Sequence, residues 1–94
     1  KAVMFWVHGG CYVAGGPKVY RGQHLVETGE VVVVVAHYRL GVFGFLGADQ
    51  LRDRDVDNHS TGNYGQLDLV MALRWVQTNI GAFGADPNNV TIFG

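Results

Sequence analysis

The sequence predicts an α/β fold built from three mainly parallel strands that are joined by helical crossovers. Three short runs are rich in β-branched and aromatic residues and lack alternation, which is typical of strands buried on both faces of a parallel sheet. Segments with helical character separate these runs. Hydrophobic residues make up 48% of the 94 residues, and many lie in segments too apolar to face water on either side.

The elements follow one another in the order strand, helix, strand, helix, strand. The first strand is predicted over Ala2–Val7, the second over Val31–Tyr38 and the third over Val90–Phe93. A short helix is predicted over Gln23–Thr28, and Gly29 can end it by accepting a left-handed conformation. Because parallel strands joined by crossovers place functional groups at the carboxyl ends of the strands, the loop after the first strand is a candidate site.

The long helix before the third strand has recognisable ends. Asn63, followed three residues later by Gln66, fits a capping box, and Gly81 lies where the helix should end. One buried face follows a 4-3-4 spacing, through Leu69, Leu73, Val76 and Ile80. Further apolar residues lie on other sides and predict a helix more buried than an ordinary surface helix: Val70, Met71 and Trp75. The polar segment Asp49–Ser60 is predicted to be a solvated surface loop.

Charge and composition exclude several classes of partner. The formal net charge is -1, and the seven lysines and arginines form no basic stripe, so neither nucleic acid nor an anionic membrane surface is expected. The longest apolar run, Val31–Ala36, is far shorter than the roughly 20 residues of a membrane span. A single cysteine, Cys11, excludes an internal disulfide. The chain begins at Lys1 and ends at Gly94 beside apolar runs, so we expect it to belong to a longer polypeptide.

A glycine-rich loop follows the first strand directly and allows three interpretations. A phosphate-binding loop would need Lys-Ser/Thr where Gly16 and Pro17 stand, and no stretch has the Gly-x-Gly-x-x-Gly pattern of a dinucleotide site. A metal site could use His8 and Cys11 with other histidines, but structural zinc usually needs four well-spaced ligands. The third interpretation is an oxyanion hole, in which backbone amides converge on a carbonyl oxygen as it becomes negative.

Four sequence blocks together resemble the type-B carboxylesterase family, which includes cholinesterases and bacterial nitrobenzyl-esterase-like enzymes. The resemblance covers essentially all of the chain, and the hormone-sensitive-lipase-like branch of the fold differs in the second block. The blocks occur in the family order, as Val7-His8-Gly9-Gly10, Tyr38-Arg39-Leu40-Gly41-Val42-Phe43-Gly44-Phe45-Leu46, Gly62-Asn63-Tyr64-Gly65-Gln66-Leu67-Asp68, and the segment from Ala72-Leu73-Arg74-Trp75 to Thr91-Ile92-Phe93-Gly94.

The resemblance implies an α/β-hydrolase fold and roles for the glycine-rich loop. It implies that Gly10 and Cys11 supply two backbone N–H donors of the oxyanion hole and that Gly9 allows the turn. The family's nucleophile elbow, Gly-Glu-Ser-Ala-Gly, begins with a glycine that matches Gly94, so the serine is expected two residues further on. Tyr12 and Val13 follow the donors and could line the acyl pocket.

The resemblance also implies an activity: hydrolysis of small-molecule carboxylic esters through an acyl-serine intermediate, without a metal or an organic cofactor. An alternative from another class is a catalytically inactive cholinesterase-like adhesion or binding protein. Away from the loop, Asp68 lies on an otherwise apolar helix, where a carboxylate needs a paired charge. Arg39 is its expected partner in a structural ion pair. The domain prediction is therefore a partial type-B carboxylesterase domain over residues 1–94.

Overall fold

The computed structural model describes residues 1–94 and contains one three-stranded parallel sheet in the order β2-β1-β3. Strand β1 is Val3–Trp6, β2 is Val32–Val35 and β3 is Val90–Phe93. Val3 is in register with Val32 on one side and with Val90 on the other. The predicted α/β fold with parallel strands is therefore confirmed.

The strands are shorter and less buried than predicted. The predicted third strand has the observed bounds, but β1 and β2 end before the apolar runs that contain them, and Ala36 to Tyr38 lie outside the ladder. The prediction that the strands are buried on both faces is wrong for the chain as described, because only Val3 and Phe5 of the sheet are fully buried. The outer strands lack a neighbour on one side, so their side chains stay partly accessible.

The hydrophobic core lies between one face of the sheet and the long helix. Val3 and Phe5 pack there against Val76, Ile80 and Ala85. The cluster is extended by partly buried residues that include Leu69 and Leu73. The predicted buried helix face is therefore confirmed. The other face of the sheet carries an open apolar groove whose lining includes Trp6, Tyr20, Leu25, Val33 and Phe93.

The first helix ends differently from the prediction. Helix α1 spans Gln23–Gly29, and the left-handed residue that follows it is Glu30, with φ 49°. The predicted left-handed Gly29 is wrong, because the helix continues through this glycine and turns one residue later.

Two short helices occur where the sequence pattern predicted none. Helix α2 spans Gly41–Phe45, and helix α3 spans Asp49–Arg54 within the predicted surface loop. Neither has a side-chain N-cap, and neither contains an apolar stripe long enough to give a periodic signal. The remainder of that loop is irregular, and its Asp55 carboxylate accepts hydrogen bonds from the N–H groups of Asn58 and Ser60. These bonds, led by that of Asn58, lower the pKa of Asp55.

Helix α4 spans Tyr64–Asn79 and continues into a 3-10 turn, Ile80–Phe83. Its start agrees with the predicted N-cap at Asn63, but the capping box is wrong, since no side chain caps the helix. Gly84, with φ 76°, ends the turn in a left-handed conformation. Three apolar side chains of α4 are exposed, so the prediction of an unusually buried helix is wrong for the chain as described: Val70, Met71 and Trp75. No helix combines the length and the apolar character that crossing a membrane requires.

Candidate oxyanion site

The glycine-rich loop, residues 8–16, lies at the carboxyl edge of the parallel sheet. It leaves the central strand β1 at Val7, whose N–H donates to the Phe93 carbonyl at 2.8 Å. A Cβ placed on Gly94 would be 2.3 Å from the Val7 carbonyl oxygen, so the residue after β3 lies directly against the start of the loop. The loop and the end of β3 therefore occupy the same place in the fold, as the carboxyl ends of adjacent parallel strands must.

The tight part of the loop depends on two glycines. Gly10 has φ 133°, and a Cβ there would lie 1.9 Å from the Ala14 carbonyl oxygen. Gly15 has φ 110°, and a Cβ there would lie 2.4 Å from the Gly9 carbonyl oxygen. Gly9 itself has no positive φ, and the nearest atom to its would-be Cβ is the Tyr20 hydroxyl at 4.0 Å. The positive φ of this turn lies at Gly10, and the supporting role expected of Gly9 stays a prediction.

Four consecutive backbone amides, those of Gly9, Gly10, Cys11 and Tyr12, donate no hydrogen bond within the chain. The carbonyl of Gly10, in contrast, accepts from the N–H groups of Val13 at 3.0 Å and Ala14 at 3.1 Å. Neighbouring amides on an exposed turn that have no internal acceptor can turn their hydrogens toward an external anion. The loop thus has four consecutive donors available for a ligand, and those of Gly10 and Cys11 are the central two.

His8 and Tyr38 form the interior support of this loop. His8 is 2% exposed, its ring stacks on that of Tyr38 at 4.4 Å between centroids, and its carbonyl accepts from the Tyr38 hydroxyl at 2.6 Å. The His8 Nδ1 lies 3.0 Å from the Gly9 carbonyl oxygen. Burial raises the pKa of the Tyr38 phenol, and the phenols of Tyr12 and Tyr20 raise it further, so the hydroxyl keeps its proton at neutral pH.

The residues that follow the two amides are exposed. Cys11 carries a free, exposed thiol and has φ 54°, while Tyr12 has φ 63°. Tyr12 is 55% exposed and packs against Phe45 at 4.7 Å between ring centroids. Val13 is 70% exposed. Tyr12 also lines an open cavity of about 290 Å³ between the loop and helices α2 and α4.

The expected ion-pair partners Arg39 and Asp68 are in contact. The Asp68 carboxylate accepts from the Arg39 backbone N–H at 2.9 Å, from Nε at 2.9 Å and from Nη2 at 2.8 Å. The hydrogen bond from the Arg39 side chain lowers the pKa of Asp68 and raises that of Arg39. The Asp68 side chain is 27% exposed and that of Arg39 is 53% exposed, so the pair is only partly buried.

Histidine, cysteine and acidic side chains do not assemble into a metal-binding group of three or more. His8 is directed to the Gly9 carbonyl through Nδ1, and Cys11 is exposed on the outside of the loop. The geometry of the loop therefore fits a backbone-amide site better than a side-chain metal site.

Tyr38 is not among the site residues predicted from the sequence, although it lies in one of the four recognised blocks. Its position after a buried strand was a signal that its side chain could reach the neighbouring loop, since carboxyl ends of parallel strands share one edge. Only the tertiary structure shows that its hydroxyl donates a hydrogen bond to the His8 carbonyl.

Comparison with known proteins identifies the family. A sequence model described as the carboxylesterase family matches residues 1–94. The chain belongs to the carboxylesterase family. Among its relatives, Carboxylesterase 3B of Mus musculus is 51% identical over 94 residues, and the Cocaine esterase of Homo sapiens is 51% identical over 92 residues. These carboxylesterases match 100% and 98% of the chain, which spans 15% of the length of each.

Solved carboxylesterase structures agree with this assignment. The carboxylesterase EST55 of Geobacillus stearothermophilus, in a crystal structure at pH 6.8, superposes with a TM-score of 0.86 and 46% sequence identity. The match covers 99% of this chain and 20% of that enzyme. At this identity the likeness extends beyond the fold to the family, so the α/β-hydrolase fold expected from the sequence is confirmed.

Proposed function

We propose that the polypeptide carrying residues 1–94 hydrolyses carboxylic esters through an acyl-serine intermediate, and that these residues contribute its oxyanion hole. Membership of the carboxylesterase family supports the reaction class. The observation that carries the proposal is the run of four amides from Gly9 to Tyr12 that have no acceptor within the chain, with Gly10 and Cys11 at its centre. We further propose that residues 1–94 form one part of a single α/β-hydrolase domain.

In this proposal the two amides bind the substrate carbonyl oxygen as it becomes an oxyanion. A serine nucleophile attacks the carbonyl carbon, a histidine takes the serine proton, and the tetrahedral intermediate places its negative oxygen against the donors. Since the donors are held before the reaction, they need little reorganisation when the charge develops. Loss of one such donor typically lowers kcat by about 100- to 1000-fold. The chemistry needs only protein groups.

The position of the loop beside β3 supports this assignment. Gly94 matches the first glycine of the family's nucleophile elbow and lies against the Val7 carbonyl, at the start of the loop. A serine two residues further along would therefore be close to the amides. We propose that the exposed Tyr12 and Val13 contact the acyl part of a small ester substrate. The relatives named above are esterases by name, so no observation favours the inactive binding protein.

The test uses the full natural polypeptide and p-nitrophenyl acetate. We expect a burst of nitrophenol equal to the enzyme concentration, followed by slower turnover, which is the signature of an accumulating acyl-enzyme. Gly10→Ala should lower kcat by about 100-fold or more, because its Cβ would displace the Ala14 carbonyl and with it the amides. Gly29→Ala is the matched control, since its Cβ would meet only ordinary contacts at 3.7 Å.

Absence of both the burst and steady turnover in the natural polypeptide would refute the ester-hydrolase proposal and favour the inactive binding protein. Unchanged kcat in a folded Gly10→Ala variant would refute the assignment of the donors while leaving the reaction class intact.

A further inference from the structure

The direction of the Gly10 amide depends on a side chain, through the planarity of one peptide group. The Gly9 carbonyl and the Gly10 N–H belong to the same peptide, and in a trans peptide they point in opposite directions. The chain has no cis peptide bond. The Gly9 carbonyl oxygen lies 3.0 Å from the His8 Nδ1. A carbonyl can only accept, so the tautomer with the proton on Nδ1 is the one that donates this hydrogen bond. A contact that holds the Gly9 carbonyl therefore also orients the Gly10 N–H.

The second donor is oriented without any side chain. The Gly10 carbonyl shares its peptide with the Cys11 N–H and accepts from the amides of Val13 and Ala14. This local backbone turn holds the Cys11 amide by the same planarity. Among the two donors, only that of Gly10 thus relies on His8.

Tyr38 holds His8 from the neighbouring strand. The two rings stack at 4.4 Å with an interplanar angle of 22°, and the Tyr38 hydroxyl donates to the His8 carbonyl at 2.6 Å. The His8 Nε2 is buried and has no hydrogen-bond partner in the chain. No second side chain therefore hydrogen-bonds the imidazole, and its orientation depends on the stacked phenol ring and on the Nδ1 bond.

We propose that His8 and Tyr38 are positioning residues that aim the Gly10 amide at the oxyanion, with Tyr38 acting through His8. This inference rests on the proposed function of the loop. Neither side chain touches the reacting atoms: the proton on Nδ1 stays on the imidazole throughout, and the hydroxyl of Tyr38 keeps its bond to the His8 carbonyl. Their effect is to preset the donor, which matters most in the transition state, where the oxygen carries its full charge.

The test compares kcat and KM for p-nitrophenyl acetate in the full natural polypeptide, in three variants of His8 and Tyr38, and in one control variant. Tyr38→Phe keeps the stacked ring and removes the hydroxyl, and we expect kcat to fall about tenfold. His8→Leu removes the Nδ1 donor, and we expect kcat to fall about 100-fold. His8→Asn places an amide nitrogen near the position of Nδ1 and should restore kcat to within about tenfold of the natural value. KM should stay within about twofold in all of them.

The matched control is Tyr64→Phe, which removes another phenol hydroxyl of the same chain that makes no hydrogen bond. A trifluoromethyl ketone, which forms a tetrahedral oxyanion with the serine, provides a second readout. Its affinity should weaken in each variant by the same factor as kcat/KM, whereas Tyr64→Phe should change neither quantity.

The proposal is overturned if Tyr38→Phe behaves like Tyr64→Phe, if the variants raise KM alone, or if folded His8→Asn is as impaired as His8→Leu. Thermal unfolding midpoints identify any variant that fails to fold, and Tyr38→Phe is the least disruptive of them. Failure of the proposed function has a different signature, because the unsubstituted polypeptide would then neither turn over the ester nor bind the ketone, and both proposals would fall.

Discussion

Cys11 and Tyr12 hold consecutive left-handed backbone angles, φ 54° and φ 63°, which residues with a Cβ rarely adopt. Each costs on the order of 1 kcal/mol relative to the right-handed region. Strain of this kind concentrates at functional sites, where the surrounding structure holds it in place. Here the Gly10 carbonyl accepts two backbone bonds across the turn, and the Gly41 N–H donates to the Tyr12 carbonyl at 2.6 Å.

The thiol of Cys11 is exposed and is not needed for the proposed chemistry, because the donor is the backbone amide. Cys11→Gly should leave kcat unchanged within about threefold, because glycine keeps the backbone amide. It should also change the free energy of unfolding little, since relief of the left-handed strain roughly offsets the conformational entropy that glycine loses on folding. Cys11→Val should lower the unfolding midpoint and kcat together, because β-branched residues tolerate this region worst. Ester turnover and thermal unfolding of the full polypeptide measure both. Equal behaviour of the two variants would contradict the strain argument.

The Arg39–Asp68 pair makes the stability of the protein decrease as the pH falls in the acidic range. The lowered pKa of Asp68 means that the folded state favours the ionised carboxylate. Its contribution is present above the ordinary aspartate pKa of about 4 and is lost as the pH falls through the lowered value. Because the Arg39 side chain is 53% exposed, solvent screens part of the interaction.

Asp68→Asn should reduce the free energy of unfolding by about 1 kcal/mol at pH 7, the scale of a partly exposed charged hydrogen bond. The difference from the natural protein should begin to shrink below about pH 4, where the unfolded carboxylate becomes protonated, and should be lost below the lowered pKa, where both proteins carry a neutral side chain at this position. Urea unfolding of the full polypeptide at several pH values measures this. Asp53→Asn is the control, since Asp53 makes only a 3.6 Å surface contact with Arg52. A difference that grows at low pH would show the sign to be wrong.

Helices α2 and α4 approach each other closely through glycine. A Cβ on Gly65 of α4 would lie 2.4 Å from the Arg39 carbonyl oxygen and 2.7 Å from the Phe45 ring. The same contact brings the Arg39 backbone to Asp68, one turn further along α4. Gly65 in the first turn of α4 therefore allows α2 and α4 to pack closely, although glycine has a poor intrinsic helix propensity.

Gly65→Ala should destabilise the protein by about 1–3 kcal/mol, the cost of overpacking, although alanine would gain about 1 kcal/mol in helix propensity. Gly81→Ala is the control, because no atom lies within 4 Å of its would-be Cβ, and it should be neutral or slightly stabilising. Thermal unfolding midpoints of the two variants should move apart. A Gly65→Ala variant as stable as Gly81→Ala would contradict the close-packing argument.

Residues 1–94 taken together are flat, with extents of 47 × 26 × 15 Å. Its radius of gyration is 15.1 Å, against about 12 Å for a compact chain of this length. Only 8 of the 94 residues are buried. The sheet has two unpaired edges, and its second face carries the open apolar groove around Trp6. Surfaces of this kind associate in water.

Residues 1–94 expressed by themselves should therefore not form a soluble monomer, and they should not hydrolyse esters. Size-exclusion chromatography should show aggregated material, and a dye that binds exposed apolar surface should fluoresce strongly. A monomer with dispersed amide resonances would contradict the prediction about the apolar surfaces. Nitrophenyl-ester turnover by this purified segment would contradict the serine mechanism.

The sequence by itself determined the parallel α/β architecture, because β-branched apolar runs and a 4-3-4 helix face are local patterns that burial requires. It also indicated the loop at residues 8–16 as a candidate site, since closely spaced glycines let the backbone approach a ligand closely. It did not predict helices α2 and α3, which have no long apolar periodicity. It also wrongly predicted a capping box at Asn63, whose side chain makes no cap hydrogen bond.

Only the tertiary structure decided how the loop is held. Tyr38 reaches His8 across 30 residues of sequence, and His8 orients the peptide that contains the Gly10 amide. The tertiary structure also leaves no room for a Cβ at Gly65 and leaves one face of the sheet open. Contacts between residues distant in the chain depend on how strands and helices pack together, and no local pattern of residues encodes that packing.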